Sequence, residues 1–260
     1  MSIKKILYAY NFNAQDLSHF LMGSIMEMRH LGFGEVIFLQ KAQFNGWIQA
    51  FAKRDIKSNV FVEPKLSLSR ILETAKKEKV SMIVLHLDKN HPRGFRRSTI
   101  DRLIKRSSVP LLLINNFGKG QKAIKKALFD NVIIGFDWSL PAQNALNQLM
   151  IFGKMIKALE IVKASTAKLT VKEIREMRET LAKNRKACLD RGIDAETHVY
   201  AGKTTEEIIT AAKDYKASLI VLGSNSKKRF INNMFSTDRS HAVMLKTNVP
   251  VLVVPSSISI

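Results

Sequence analysis

The chain has 260 residues, of which 46% are hydrophobic, and its 42 basic and 22 acidic residues give a formal net charge of +20. This composition excludes an intrinsically disordered chain, and no apolar run approaches the roughly 18 residues that a transmembrane helix needs, so we expect no membrane segment. The single cysteine, Cys188, cannot form an internal disulfide, which favours a reducing cytoplasm. Such a positive field predicts attraction to anions: nucleotides, nucleic acids or acidic proteins.

The first half opens with a strand-like apolar run at residues 6–10. Short apolar strands then alternate with helical patterns, which predicts βαβ units and a parallel sheet. Only residues 41–59 separate the second and third strands, so we expect a short second helix. A loop-like segment at 115–129 predicts the boundary between one domain at 1–127 and another at 128–260.

The second half follows the same order of elements. Its predicted strands are 132–137, 159–164, 195–200, 219–223 and 249–254. Its predicted helices lie near 141–154, 171–191, 204–216 and 236–246. The fourth strand is a continuous apolar run, which is typical of a strand covered on both faces. This pattern predicts the same α/β unit as in the first half.

An internal repeat supports two copies of one domain. Residues 71–85 read ILETAKKEKVSMIVL and residues 208–222 read IITAAKDYKASLIVL, with eight of fifteen positions identical. Each segment is followed by a Val-Pro-apolar run, at Val109-Pro110 and Val249-Pro250. A repeat of this length indicates a duplicated domain and not a short solenoid unit.

Catalytic and metal motifs are missing from the sequence. The run from Gly202 to Thr205 resembles the end of a P-loop, but position 197 is threonine where a P-loop has its first glycine. We expect Thr204 to cap the next helix and Glu207 to complete a capping box. The histidines and the lone cysteine have no metal-ligand spacing, and no nucleophile elbow is present, so we expect no metal and no enzymatic activity.

The stretch from 223 to 237 is the most informative, because it follows a buried strand and opens a helix. Ligands of open α/β sheets bind beyond the carboxyl ends of the strands, and a helix N-terminus there favours a phosphate. Asp137, at the end of the first strand of this half, is expected on the same rim, where its carboxylate could accept a hydrogen bond from a base or ribose.

These residues resemble the universal stress protein family. The family motif, Gly-x2-Gly-x9-Gly-Ser/Thr, is similar in spacing to Gly223-x2-Ser226-x9-Ser236-Thr237. The resemblance covers nearly the whole second half and implies a Rossmann-like fold of the adenine nucleotide alpha hydrolase type. Each domain would be a five-stranded parallel sheet of order 3-2-1-4-5, and the fifth strands of two domains can pair, here within one chain.

The resemblance also implies a ligand and a role. Asp137 matches the aspartate that contacts adenine in nucleotide-binding members, and Ala164 falls where those members place an apolar adenine contact. The implied cofactor is ATP or AMP, held by Asp137, Ala164 and the motif residues, with no metal. The implied function is a non-enzymatic cytoplasmic stress-response or regulatory protein, whose protein partners the sequence does not identify and which can form a homodimer.

The departures from the motif favour the branch of the family that does not bind ATP, since Ser226 and Ser236 replace two of its three glycines. The first half departs further, with Asn11 in place of the aspartate, and is interpreted as a degenerate domain. Two alternatives remain open: an adenine-nucleotide-using enzyme, or an anion- or nucleic-acid-binding module driven by the basic first domain. The basic cluster of that domain comprises Arg93, Arg96, Arg97, Arg102, Lys105 and Arg106.

Overall fold

The computed structural model describes residues 4–10, 33–40, 48–64, 66–87, 97–115, 127–166, 169–224 and 237–256. The strands in these ranges are β1 Lys5–Tyr10, β2 Glu35–Gln40, β3 Lys57–Val62, β4 Met82–Leu87, β5 Leu111–Asn115, β6 Asn131–Gly135, β7 Ala158–Ser165, β8 Ala195–Ala201, β9 Leu219–Ser224 and β10 Val251–Pro255. The α-helices are α1 Ile48–Ala52, α2 Leu68–Lys77, α3 Arg97–Arg106, α4 Leu140–Phe152, α5 Val171–Leu189, α6 Thr204–Asp214 and α7 Thr237–Lys246.

The ten strands form one sheet of order β3-β2-β1-β4-β5-β10-β9-β6-β7-β8. Within each half all pairs are parallel and the order is 3-2-1-4-5, as predicted. The fifth strands of the two halves, β5 and β10, pair antiparallel and join the two five-stranded sheets edge to edge. The helix described after β2 is Ile48–Ala52, and the sequence predicts a short helix in this connection.

The antiparallel pairing determines which ends of the two halves lie together. Leu111, at the start of β5, pairs with Val253 near the end of β10, and Leu113 pairs with Val251. The strands of the first half therefore end at one edge of the sheet, and those of the second half end at the opposite edge.

Helices cover both faces of the sheet. Helices α1, α4 and α5 pack on one face, and α2, α3, α6 and α7 pack on the other. Alternate strand residues serve the two layers: in β9, Leu219 and Val221 face the first layer while Ile220 and Leu222 face the second. Both sides bury apolar surface, which explains why the central strands are apolar throughout.

One local prediction about α6 is wrong. Thr204 is the first residue of the helix, whereas Lys203 occupies the N-cap position and makes no side-chain capping hydrogen bond. The carboxylate of Glu207 folds back against Gly202, so that a Cβ placed at Gly202 would lie 2.0 Å from Glu207 Oε1. The overlap involves the end of a flexible side chain, so Glu207 could move aside to accommodate a Cβ at Gly202.

Candidate functional site

Three of the predicted site residues meet at the carboxyl edge of the second half. Gly135, the last residue of β6, pairs with Val162 of β7 on one side and Leu222 of β9 on the other. Asp137 follows two residues later, and the same register places it beside Ala164 of β7 and Ser224, the residue after Gly223 in β9. The parallel register thus brings Asp137, Ala164 and Gly223 together, as the sequence predicts.

Asp137 has a structural task at this edge. Its Oδ1 accepts hydrogen bonds from the Ser139 backbone N–H, at 3.1 Å, and from the Ser139 hydroxyl. Ser139 is the N-cap of α4 and accepts in turn from the N–H of Ala142 at 3.3 Å. One carboxylate oxygen therefore orients the helix cap, and among the described contacts Oδ2 takes part in no hydrogen bond.

Lys163 and Trp138 adjoin this carboxylate, and sequence reasoning missed both. The Lys163 Nζ lies 5.2 Å from the centroid of the Trp138 ring, which also packs edge-on against Phe136. Burial lowers the pKa of the Lys163 ammonium below 10.5, and the Asp137 carboxylate offsets part of that decrease. Trp138 has a φ of +64°, a conformation that costs a non-glycine residue about 1 kcal/mol or more. Lys163 lies within a strand and Trp138 directly follows Asp137, and neither belongs to a sequence motif that would have predicted its place at this site.

Gly223 is required for packing against α4. A Cβ at this position would lie 2.3 Å from both the carbonyl carbon and the carbonyl oxygen of Pro141, and 2.6 Å from Ala142 N. Because these are backbone atoms, they cannot move aside as a flexible side chain would. The glycine therefore allows β9 to contact the first turn of α4, whatever it also offers a ligand.

Ala164 lies beneath the surface of the edge. It is 1% exposed and pairs with Tyr200 of β8. A base could contact Ala164 only after neighbouring side chains move, so its predicted adenine contact is less direct than that of Asp137.

The motif serines and the helix after them are only partly described. Ser226 and Ser236 lie outside the described residues. Thr237 is the first residue of α7, so its backbone stands at the helix N-terminus. The predicted Arg93 and Arg96 also lie outside, and Arg97 begins α3. Arg102, Lys105 and Arg106 lie exposed on α3.

Two serines beside this helix have unsatisfied hydroxyls. Ser224 ends β9 and Ser240 lies in the first turns of α7; both are fully buried, and among the described residues neither Oγ has a hydrogen-bond partner. A buried polar group without a partner costs about 1–3 kcal/mol, so such groups call for an explanation. Sequence reasoning missed them; the only signal was the inward spacing of Ser240 with Val243, Met244 and Thr247.

A second polar cluster lies between β7, β8 and the end of α6. His198 Nε2 is 2.6 Å from Glu160 Oε2, and its Nδ1 is 3.1 Å from the Tyr215 hydroxyl. Burial raises the pKa of the adjacent Tyr200 to about 12, with Tyr215 and Asp214 contributing. The described ranges contain no group of three or more His, Cys, Asp or Glu residues that could hold a metal. None of their helices has the length and apolar character of a membrane span.

Comparisons with known proteins identify the second half. The model of the universal stress protein family matches residues 128–255. The crystal structure of a universal stress protein from Archaeoglobus fulgidus DSM 4304 is 18% identical, has a TM-score of 0.66, and covers 98% of this chain and 97% of that one. A functionally unknown protein from Pseudomonas aeruginosa PAO1 is 13% identical, with a TM-score of 0.65 over 98% of this chain and 94% of that one. A search of curated proteins finds no match. At these identities the structural likeness shows the fold of the whole chain.

Proposed function

Since the model of the universal stress protein family matches residues 128–255, we propose that the chain is a non-enzymatic, cytoplasmic stress-response or regulatory protein. It acts by binding, and its second domain holds an adenine nucleotide, ATP or AMP, weakly. The observation that carries this proposal is the meeting of Asp137, Gly223 and the N-terminus of α7 at one edge of the sheet.

The base or ribose would contact Asp137. Its Oδ1 is held by the Ser139 N–H and hydroxyl, and this fixes the direction of the carboxylate. Oδ2 is then positioned to accept from an exocyclic amine or a ribose hydroxyl without a loss of side-chain freedom on binding.

The phosphates would lie at α7. The first backbone N–H groups of a helix have no intrahelical acceptor, and the helix dipole favours a negative charge beside them. The hydroxyls of Ser224 and Ser240 lack acceptors at the same end of the helix. A phosphate, or an ordered water that it holds, would supply acceptors to these groups.

Three features make the binding weak. Gly223 packs closely against the backbone of Pro141, and Ala164 is buried. Serines, at Ser226 and Ser236, replace two of the motif glycines. A serine Cβ restricts the positive φ that glycine adopts freely, and this limits how closely backbone N–H groups approach phosphate.

We further propose that residues 1–127 are a degenerate domain and 128–260 the nucleotide-holding one. The strand edges that remain open are those of β3 and β8, because β5 and β10 already pair within the chain. A homodimer would therefore form through a surface other than the fifth strands.

Calorimetric titration of ATP and AMP tests the proposal. We expect weak, one-to-one binding to the wild type that Asp137→Ala abolishes. Ser139→Ala is the matched control, because it removes the hydroxyl that bonds Asp137 Oδ1 and caps α4, and it leaves the carboxylate with its hydrogen bond from the Ser139 backbone N–H. Equal losses in both variants would show that Asp137 acts only through the helix cap. Undetectable binding of both nucleotides at millimolar concentration would refute the nucleotide proposal, and phosphate release on incubation with ATP would refute the absence of turnover.

A second candidate function is supported by the exposed cations of α3. Arg102, Lys105 and Arg106 are exposed on one helix, and among the described contacts only Arg102 makes a hydrogen bond, donating from Nε to the Ser98 carbonyl at 3.2 Å. A nucleic-acid role would appear as duplex affinity that falls steeply with salt, because each phosphate contact releases a counterion. Duplex affinity without nucleotide affinity would favour this function over the first.

A further inference from the structure

The antiparallel seam places one end of the first half beside the candidate phosphate site of the second. Helix α3 runs from the end of β4 to the start of β5, so its last turn lies near Leu111. Leu111 pairs with Val253, and two residues further along β10 Pro255 pairs with Ser224, the last residue of β9. The C-terminus of α3 and the N-terminus of α7 therefore lie at the same edge, and the two helices pack against each other.

The last turn of α3 is basic, as is that of α2. It ends in Lys105 and Arg106, both exposed, and within the described part of the chain neither pairs with a carboxylate. Cations favour any helix C-terminus because of the helix dipole, which is a sufficient reason for one of them. The corresponding end of α7, at the opposite edge, carries Leu245 and Lys246 instead, and Lys246 Nζ lies 3.9 Å from Glu206 Oε1.

Lys105 and Arg106 are thus two exposed cations at the edge that the second half uses. The turn after α3 and the turn after α7 are otherwise alike: Val109 N donates to Ser107 Oγ, and Val249 N donates to Thr247 Oγ1. The fold accepts either charge arrangement at these turns, so stability does not require the Lys-Arg pair.

An independent observation points to a ligand at this edge. Ser224, at the end of β9, and Ser240, in the first turns of α7, have fully buried hydroxyls with no hydrogen-bond partner in the described part of the chain. Unsatisfied donors, the orphan N–H groups of a helix and two free cations on the neighbouring helix together match a polyanion that carries more charge than a single phosphate.

We propose that Lys105 and Arg106 of the first half complete the phosphate site of the second, so that the site is shared between the halves and selects nucleotides with more phosphates. The proposal rests on the proposed function and names its specificity: the first half contributes charge and not a nucleotide site of its own. Helix axes in contact lie about 8–10 Å apart, a span that a lysine or arginine side chain can reach across from α3 towards a phosphate at α7.

The test measures the binding of three probes to two double variants and one single variant. Lys105→Ala/Arg106→Ala removes the two proposed charges. Lys76→Ala/Lys77→Ala removes two charges from the last turn of α2, at the same edge but one helix further away. Lys246→Ala removes the cation at the opposite edge. Calorimetry at low ionic strength measures the affinity of each for ATP, AMP and inorganic tripolyphosphate, and thermal unfolding confirms that each remains folded.

We expect Lys105→Ala/Arg106→Ala to weaken ATP and tripolyphosphate binding about ten-fold and AMP binding by about three-fold or less, since charge interactions scale with the charge of the ligand. The other two variants should change each affinity by less than about two-fold, because screening limits charges at greater distance. Wild-type binding of tripolyphosphate without nucleotide binding, lost in Lys105→Ala/Arg106→Ala, would support the shared site and refute the adenine part of the proposed function.

Two results would overturn the inference. The first is an unchanged ATP affinity in Lys105→Ala/Arg106→Ala, which would leave the proposed function standing. The second is an equal loss of ATP affinity in Lys76→Ala/Lys77→Ala, which would show that a general positive field, and not a shared site, attracts the phosphates. Failure of the wild type to bind any of the three probes would refute both the inference and the nucleotide proposal.

Discussion

The two halves of the sheet repeat each other at their turns. Lys79 and Lys216, after α2 and α6, have nearly equal positive φ values of 51° and 49°. Ser81 Oγ accepts from Lys4 N as Ser218 Oγ accepts from Asn131 N. These turns are set by backbone demands that both halves share, and there the residues have stayed chemically alike.

The halves differ where side chains line the sheet. By strand register, Ile37 of β2 occupies the place of Glu160 in β7, and Phe61 of β3 that of His198 in β8. The second half builds a Glu160–His198–Tyr215 chain where the first half has Ile37, Phe61 and, by the repeat, Glu78. The shared backbone therefore constrains the residues at the turns, whereas the residues that lie beside one another on neighbouring strands can differ in chemistry between the halves.

Separating the halves should have the largest effect. Expressed alone, residues 1–127 and 128–260 would each expose an apolar fifth strand, and such edges pair with other chains. We expect each half to self-associate or precipitate and the mixture to form a one-to-one complex, measured by light scattering after size exclusion. Two soluble monomeric halves would show that the seam between β5 and β10 is dispensable.

The next largest effect on the free energy of unfolding is expected at Gly223, which has close neighbours, and the control is Gly34, which has none. Gly223→Ala places a Cβ 2.3 Å from the Pro141 backbone and should lower the free energy of unfolding by about 3–5 kcal/mol in urea denaturation. Gly34→Ala in the first half, where no atom lies within 4 Å of the added Cβ, is the control and should cost less than about 1 kcal/mol. Equal costs would mean that α4 can withdraw from β9.

A pH series reports on the second half specifically, because the only thiol lies there. Burial raises the pKa of Cys188 from 9.0 to about 11. As the pH rises through this window the unfolded chain loses its proton first, so stability falls by up to about 2–3 kcal/mol between pH 9 and 11. Cys188→Ala should lack this slope in urea denaturation. If the first half of the wild type unfolds in a separate transition, and its free energy of unfolding does not fall between pH 9 and 11, then the two halves unfold independently.

The smallest effect concerns the facing positions. Glu160→Ile leaves His198 without its carboxylate and should cost about 1–3 kcal/mol in the free energy of unfolding. Adding His198→Phe imports the first-half pair and should recover part of that loss, which a double-mutant cycle measures. If the double variant is less stable than the sum of the single variants, the second-half backbone does not accept the apolar arrangement.

Much of the fold was predictable because its signals are local. The alternation of apolar runs and helical periods predicted the strands, and the repeat of 71–85 in 208–222 predicted two similar units. Motif spacing also placed Asp137 and Gly223 at one edge, since parallel strands end together. Lys163, Trp138, Ser224 and Ser240 were missed, because no motif describes a side chain whose surroundings come from distant segments.

The element types, the strand order implied by the family resemblance and the excess of positive charge can all be read from the sequence alone. Three features require the three-dimensional structure: Gly223 serves the packing of α4, Asp137 orients the Ser139 cap, and Lys105 and Arg106 stand at the second half's edge. The physical reason is range: periodicity and turn chemistry act within a few residues, whereas the direction of the seam and the contacts across it arise from segments more than a hundred residues apart.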